Sequence, residues 1–210
     1  MLQNSQIRKR ALEALDGNWG SAAVFMLVYI VITFIVSNGG QICLSPLGQA
    51  WAALGSLASV LLIPMGYALT VGFLGFLRGG KLEVAGLFRY YPVGRVWILG
   101  VLTAIYTILW SLLLIIPGVI KAYSYMMAPY ILKDNPEMGG EEAIVESMKM
   151  MKGYKMKLFL LDLSFIGWAI LALLTLGLGF ILLYPYVLTA RAKFYEELKA
   201  ERGECWKETV

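Results

Sequence analysis

Histidine is absent from this 210-residue chain, and cysteine occurs only twice. Without histidine the chain lacks the commonest general base, any Ser-His triad and most zinc and haem ligation. The two cysteines, Cys43 and Cys205, do not have metal-ligand spacing. These shortages predict a protein that is not an enzyme and that carries no cofactor and no metal.

Charged residues are also scarce, at 15% of the chain, whereas 59% of the residues are hydrophobic. A soluble domain has about 25% charged residues. The apolar residues form long runs, such as 97–117 and 158–173, and a run of about 20 apolar residues spans a bilayer. The sequence therefore predicts an all-α fold, a polytopic membrane helix bundle.

Six apolar segments predict about six transmembrane helices, arranged as three hairpins in a single transmembrane domain over residues 1–210. The predicted crossings lie near 19–37, 50–77, 95–115, 112–133, 157–174 and 177–195. The third and fourth overlap because the sequence allows their turn anywhere between Trp110 and Gly118. Amphipathic helices are expected in the connections between hairpins.

The basic residues predict the orientation. With the N-terminus inside, the cytoplasmic segments hold 17 of the 18 lysine and arginine residues, all except Lys121. The predicted external connections, 37–49 and 175–179, carry no charge. Because lysine and arginine concentrate in cytoplasmic connections, both termini are predicted to be cytoplasmic.

Three cytoplasmic stretches have the apolar periodicity of amphipathic helices. Their apolar positions are Ile7, Ala11 and Leu15 in the first, Val84, Leu87, Phe88 and Tyr91 in the second, and Ile144, Met148 and Met151 in the third. Each stretch is followed by a glycine (Gly17, Gly94 or Gly153) and then by an outgoing helix. This order indicates a repeat of three units in one orientation.

Such a helix lies in the headgroup layer, binds a partner's cytoplasmic domain or rests on its own bundle. The third stretch carries Lys149 and Lys152 beside its apolar positions. Its five residues Ile144, Met148, Met151, Lys149 and Lys152 are the candidate face for a partner or for lipid headgroups.

Two of the charges within the predicted crossings are expected at membrane depth, and the others belong to the cytoplasmic ends of the helices. A charge near the bilayer centre costs at least about 2.5–3.5 kcal/mol, so it usually faces the bundle or a cavity. Lys121 and Asp162 have opposite signs, which suggests that they pair. Alternatively, Lys121 snorkels from an external interface and Asp162 forms only local hydrogen bonds. The remaining members of this candidate site are Tyr123, Ser124 and Ser164.

The segment IIPGVIKAYSYMMAPYILKDNPEMGGEEAIVESMKMMKGYKMKLFLLDLSFIGW resembles the bacterial membrane family catalogued as domain of unknown function 975. ALDGNWGSAA and LTLGLGFILLYPYVLTARAKFYEEL fit the same resemblance. A looser similarity links the chain to the membrane domains attached to some glycerophosphodiester phosphodiesterases. The resemblance implies a multi-pass protein of the bacterial inner membrane, with no established activity. The phosphodiesterase activity is not carried over, because that similarity concerns the membrane portion only.

These observations favour a non-enzymatic module that binds lipid or a membrane-protein partner, as an accessory subunit of an envelope or export system. The alternative is a small transporter or channel-like protein with an intramembrane Lys121–Asp162 site. The expected partners are membrane lipids and a membrane protein, without nucleic acid, because the basic residues follow the membrane orientation.

Overall fold

The computed structural model describes residues 3–42, 59–113 and 115–206, and this part of the chain contains helices and no strands. The prediction of an all-α helical bundle is confirmed. The helices are α1 (Asn4–Leu15), α2 (Trp19–Ile42), α3 (Ile63–Leu77), α4 (Gly94–Leu113), α5 (Ile115–Tyr125), α6 (Ala128–Asp134), α7 (Gly140–Met150), α8 (Lys155–Leu163), α9 (Ile166–Leu174) and α10 (Phe180–Trp206), with short 3₁₀ turns at Ser59–Leu62 and Val84–Phe88.

Four segments of the described chain are long and apolar enough to cross a membrane. They are Trp19–Asn38, Val60–Leu77, Gly94–Leu112 and Lys155–Leu174. The other two predicted crossings, 112–133 and 177–195, fall on α5 with α6 and on α10. Since neither meets the same criterion of length and apolarity within the described residues, those two crossings stay predictions.

The second predicted hairpin, formed by the third and fourth predicted crossings, contains α4 and α5, which pack on each other. Helix α4 ends at Leu113 and α5 begins at Ile115, so Lys121 lies six residues into α5, or about 9 Å at 1.5 Å per residue. A Cβ atom at Gly118 would lie 2.6 Å from Ser111 Oγ and 2.8 Å from Ser111 Cα. Glycine at this position therefore allows α4 and α5 to pack closely.

The first amphipathic stretch is the helix α1, as predicted. Ile7, Ala11 and Leu15 are fully buried, and α1 packs on α10. The chain leaves α1 through Gly17 at φ +74°, and it leaves α7 through Gly153 at φ +88°. Only glycine adopts this left-handed conformation without strain. The first and third predicted units thus share a helix–glycine–helix order.

The second amphipathic stretch differs from its prediction as an amphipathic helix. Residues Val84–Phe88 form a 3₁₀ turn in which Leu87 is buried, whereas Val84 and Phe88 are exposed. Gly86 disfavours helix within the stretch, and Pro92 cannot continue one because it lacks a backbone N–H. The repeat is therefore incomplete in its middle unit.

The candidate partner face on the third stretch is largely internal, which corrects that prediction. Ile144 and Met151 are at most 1% exposed, and Met148 is partly buried against the same core. Lys149 and Lys152 are exposed. The apolar half of this face packs on the chain's own bundle, so it does not reach a partner or headgroups while α7 is docked.

Glycine explains how α7 docks so closely. A Cβ atom at Gly140 would lie 2.6 Å from the backbone nitrogen of Leu99 and 2.9 Å from the carbonyl oxygen of Arg95. Any larger residue would push α7 away from α4. The sequence did not single out Gly140, because a pair of glycines at the start of a helix also serves as an ordinary cap.

A buried serine connects α7 to the break between α5 and α6. Ser147 Oγ donates a hydrogen bond to the carbonyl oxygen of Ser124 at 2.7 Å and accepts one from the N–H of Met127 at 3.2 Å. Pro129 offers no N–H to the helix at this break. Ser147 therefore satisfies two backbone groups that the interruption leaves without helical partners.

We expect Ser147→Ala to lower the free energy of unfolding by about 1–2 kcal/mol, since it leaves a buried donor and a buried acceptor unpaired. Thermal or denaturant unfolding of the detergent-solubilised protein measures this loss. Ser5→Ala is the matched control because Ser5 is an exposed helical serine. Equal stabilities for the two variants would show that Ser147 does not support the break.

Candidate functional site

The carboxylate of Asp162 joins three helices. Arg191 of α10 donates to it from Nε at 3.0 Å and from Nη2 at 2.9 Å, and the hydroxyl of Tyr123 on α5 donates at 3.0 Å. The side chain of Asp162 is 14% exposed and that of Arg191 is 27% exposed. A two-pronged arginine–carboxylate pair is strong and fixes the geometry of both groups.

Asp162 is paired, but the partner predicted for it, Lys121, was wrong. The ammonium of Lys121 lies over the ring of Trp110, 4.6 Å from its centroid, where the electron-rich face attracts a cation. Arg191 takes the place expected for Lys121, although the sequence assigned Arg191 to the cytoplasmic flank. One signal was present: Arg191 is the first charge after the apolar start of α10.

The two serines of the candidate site form local hydrogen bonds. Ser124 Oγ donates to the carbonyl oxygen of Ile120 at 2.8 Å, and Ser164 Oγ donates to that of Leu161 at 2.6 Å. Of the five predicted residues, the structure therefore joins Tyr123 and Asp162 by a hydrogen bond. The described contacts of Lys121, Ser124 and Ser164 lie elsewhere.

A partly open cavity of about 500 Å³ lies beside the Asp162–Arg191 pair. Helices α3 and α4 form its walls, and α5, α6 and α10 contribute its floor. The wall residues are Ile63, Gly66, Tyr67 and Thr70 from α3, and Val96, Leu99, Gly100, Thr103, Ala104 and Thr107 from α4. Their spacing of three or four residues places each set on one helix face.

Small residues leave room for this cavity. A Cβ atom at Gly66 would meet no atom within 4 Å. Along α4 the lining runs from Val96 to Thr107, which is about 16 Å at 1.5 Å per residue. The hydrocarbon core of a bilayer is about 30 Å thick, so the cavity has the length of one leaflet's acyl chains.

Hydrogen-bond donors mark one side of the cavity. Tyr130 and Arg191 both line it. The Tyr130 ring stacks on Tyr195 with centroids 5.1 Å apart, and its buried hydroxyl has no hydrogen-bond partner among the described residues. Arg191 uses Nε and Nη2 on Asp162, and no described residue accepts from its Nη1. An unpaired buried hydroxyl is costly, which makes it a candidate contact for a ligand.

A second charged cluster joins helix ends outside the cavity lining. Asp134, at the end of α6, accepts from Arg78 at 2.9 Å, from Tyr195 at 2.9 Å and from Lys199. Arg78 also donates to Glu196 at 2.7 Å. Burial alone would raise the pKa of Asp134, but the hydrogen bonds from Arg78, Lys199 and Tyr195 lower this pKa to about 2. The cluster ties α3, α6 and α10 together.

A family model with the description Protein of unknown function (DUF975) matches residues 88–202, more than half of the 210 residues. The matched segment contains the α4 wall of the cavity, the Asp162–Arg191 pair and Asp134, whereas the α3 wall precedes it. No curated protein matches the chain, and no solved structure does. The looser similarity to membrane domains of glycerophosphodiester phosphodiesterases thus has no support from a match.

Proposed function

We propose that this chain, which belongs to the family described as Protein of unknown function (DUF975), is a non-enzymatic membrane protein that binds a lipid between its helices. The cavity between α3 and α4 carries this proposal. Its volume of about 500 Å³ falls in the range of about 300–1,000 Å³ that suits a drug-sized ligand. Its walls are mostly apolar, with a few polar groups placed among them, as a lipid requires.

The segments that form the cavity walls support a site open to the membrane. Val60–Leu77 and Gly94–Leu112 are both long and apolar enough to cross a bilayer. The charge distribution supports insertion in the bacterial inner membrane with both termini in the cytoplasm. In that orientation the cavity runs from the cytoplasmic start of α4 toward the bilayer centre.

A partner protein is the second component of the proposal. With its apolar face buried, α7 offers a partner its exposed side, which has mixed charge and includes Glu141, Glu142 and Lys149. The exposed Lys152 follows the end of the helix. A module that holds lipid and presents a charged surface to the cytoplasm suits an accessory subunit of an envelope or export system.

The alternative function is a small transporter, and one observation favours it. The Arg191–Asp162 pair lies beside a cavity whose walls include the hydroxyls of Thr70, Thr103 and Thr107. A solute path would need polar groups across the whole bilayer, however, and this cavity spans about half of it. Lipid binding therefore fits the geometry better.

Filling the cavity tests the proposal. We expect protein extracted gently from its own membrane to carry lipid in native mass spectrometry, and we expect Gly66→Leu to lose it. Gly66 lines the cavity, and a Cβ atom added there meets no atom within 4 Å, so we expect a leucine side chain to extend into the cavity.

The control for this experiment is Gly167→Leu. Gly167 is also helical, its added Cβ also meets no atom within 4 Å, and it does not line the cavity. Lipid retained equally by both variants would contradict binding between α3 and α4. Solute flux in proteoliposomes that stops with Gly66→Leu, without any bound lipid, would favour the transporter.

A further inference from the structure

We infer that the cavity selects a single-chain amphiphile with an uncharged head group, such as a monoacylglycerol, and that Arg191 and Tyr130 bind that head. This inference rests on the proposed function and specifies its ligand. It combines the charge, the hydrogen-bonding groups and the shape of the cavity between α3 and α4.

The charge on the cavity lining is already balanced. Among the described residues that line the cavity, Arg191 alone carries a charge, and Asp162 neutralises it through two hydrogen bonds. An anionic head would place a second negative charge on one guanidinium, and a cationic head would face that guanidinium directly. Both arrangements are unfavourable where water is scarce, whereas an uncharged head meets neither penalty.

The free hydrogen-bonding groups match a hydroxyl or an ester carbonyl. Arg191 Nη1 can only donate, and the Tyr130 hydroxyl can donate and accept. Tyr130 is 1% exposed and its hydroxyl has no partner among the described residues. A hydroxyl of the head group satisfies Tyr130, and a neighbouring carbonyl oxygen accepts from Arg191. Thr70 has no hydrogen left to donate to the head, since its Oγ1 donates to the carbonyl oxygen of Gly66 at 3.0 Å.

The shape favours one acyl chain. Helices α3 and α4 meet closely at one point of the cavity, because a Cβ atom at Gly100 would lie 2.1 Å from Ile63 Cγ2. The cavity is therefore a narrow cleft about 16 Å long, the length of a single chain in one leaflet. Two chains side by side would have to separate these helices.

Two lipids with the same chain provide the test. Full-length protein, exchanged into a nonionic detergent at pH 9, is titrated with monoolein or with ionised oleate, and binding is measured by native mass spectrometry. We expect monoolein to bind at least about tenfold more tightly than oleate. The oleate carboxylate would share one guanidinium with the carboxylate of Asp162, and two like charges placed together disfavour a ligand by this much or more. Dioleoylglycerol, which has an uncharged head and two chains, should bind more weakly than monoolein.

Tyr130→Phe isolates the head-group contact. It removes one hydroxyl, so we expect monoolein to bind roughly 3- to 10-fold more weakly, while the ligand-free protein keeps its thermal stability because no protein hydrogen bond is lost. Tyr184→Phe, at an exposed tyrosine that does not line the cavity, should leave binding unchanged.

The outcomes separate this inference from the proposed function. If oleate binds as tightly as monoolein and Gly66→Leu abolishes this binding, the preference for an uncharged head group is overturned, whereas the lipid site itself is supported. If dioleoylglycerol binds more tightly than monoolein, the inference that the cavity accepts a single acyl chain is overturned. An unchanged affinity of Tyr130→Phe would overturn the head-group contact. If none of the three lipids binds the wild type more tightly than Gly66→Leu, both the inference and lipid binding in this cavity fail.

Discussion

Asp162→Leu is expected to lower the free energy of unfolding by about 3–5 kcal/mol, because it removes one partner of a largely buried ion pair. The substitution leaves the guanidinium of Arg191, only 27% exposed, without its counter-ion. It also deprives the hydroxyl of Tyr123 of its acceptor. Unfolding of the protein in mixed micelles, followed by tryptophan fluorescence, measures the loss.

The double variant Asp162→Leu/Arg191→Met shows whether the uncompensated charge is the cause. Replacing both members of a buried pair with apolar side chains is often neutral, so the double variant should recover most of the stability. Arg10→Met serves as a surface control, since Arg10 is 51% exposed in its contact with Glu197 and such pairs contribute at most about 1 kcal/mol. A double variant as unstable as Asp162→Leu would show that packing, and not charge, makes Asp162 important.

The same pair shows where sequence reasoning stopped. Because charged residues are scarce inside the apolar runs, the sequence identified Asp162 as a residue that requires a partner. The choice between Lys121 and Arg191 depends on how α5, α8 and α10 rotate about their axes, and no local pattern encodes that rotation. Lys121 also had an aromatic alternative in Trp110, one helix back in the chain.

Periodicity, by contrast, predicted the faces of two short helices. Ile7, Ala11 and Leu15 recur at four-residue steps and are fully buried. The same kind of pattern identified the apolar residues of α7, but not what covers them. An amphipathic helix is equally compatible with its own bundle, a partner or a lipid surface, and only the docked structure distinguishes these.

The cavity could not be predicted from the sequence, because it depends on what surrounds each small residue. Gly66 and Gly100 are both glycines within apolar helices, and both line the cavity. An added Cβ at Gly66 would enter open space, whereas one at Gly100 would collide with Ile63. Glycine thus leaves a space in α3 and allows close packing in α4. The surrounding residues determine which of these two effects a glycine has.

Protonation of Asp134 is expected to remove about 2–3 kcal/mol of stability, the contribution of its charge-assisted hydrogen bonds. The side chain of Asp134, which contacts Arg78 and Lys199, is 8% exposed. Burial opposes ionisation, but the three donors outweigh it and hold the pKa of Asp134 at about 2, below its ordinary value of 3.8. Because this pKa is lowered on folding, the stabilisation is complete above the ordinary pKa and is lost as the pH falls toward 2.

Asp134→Asn makes this pH dependence measurable, because asparagine resembles the protonated carboxyl group at every pH. We expect the wild type to be more stable than Asp134→Asn by about 2–3 kcal/mol at pH 7, and the difference to shrink between about pH 4 and pH 2. Other carboxylates titrate alike in both proteins, so the difference isolates Asp134. Glu137→Gln, at an exposed position shortly after α6, should match the wild type throughout. A difference that stays constant down to pH 2 would mean that Asp134 acts through its shape and not its charge, and the ends of α3, α6 and α10 would then be held by packing alone.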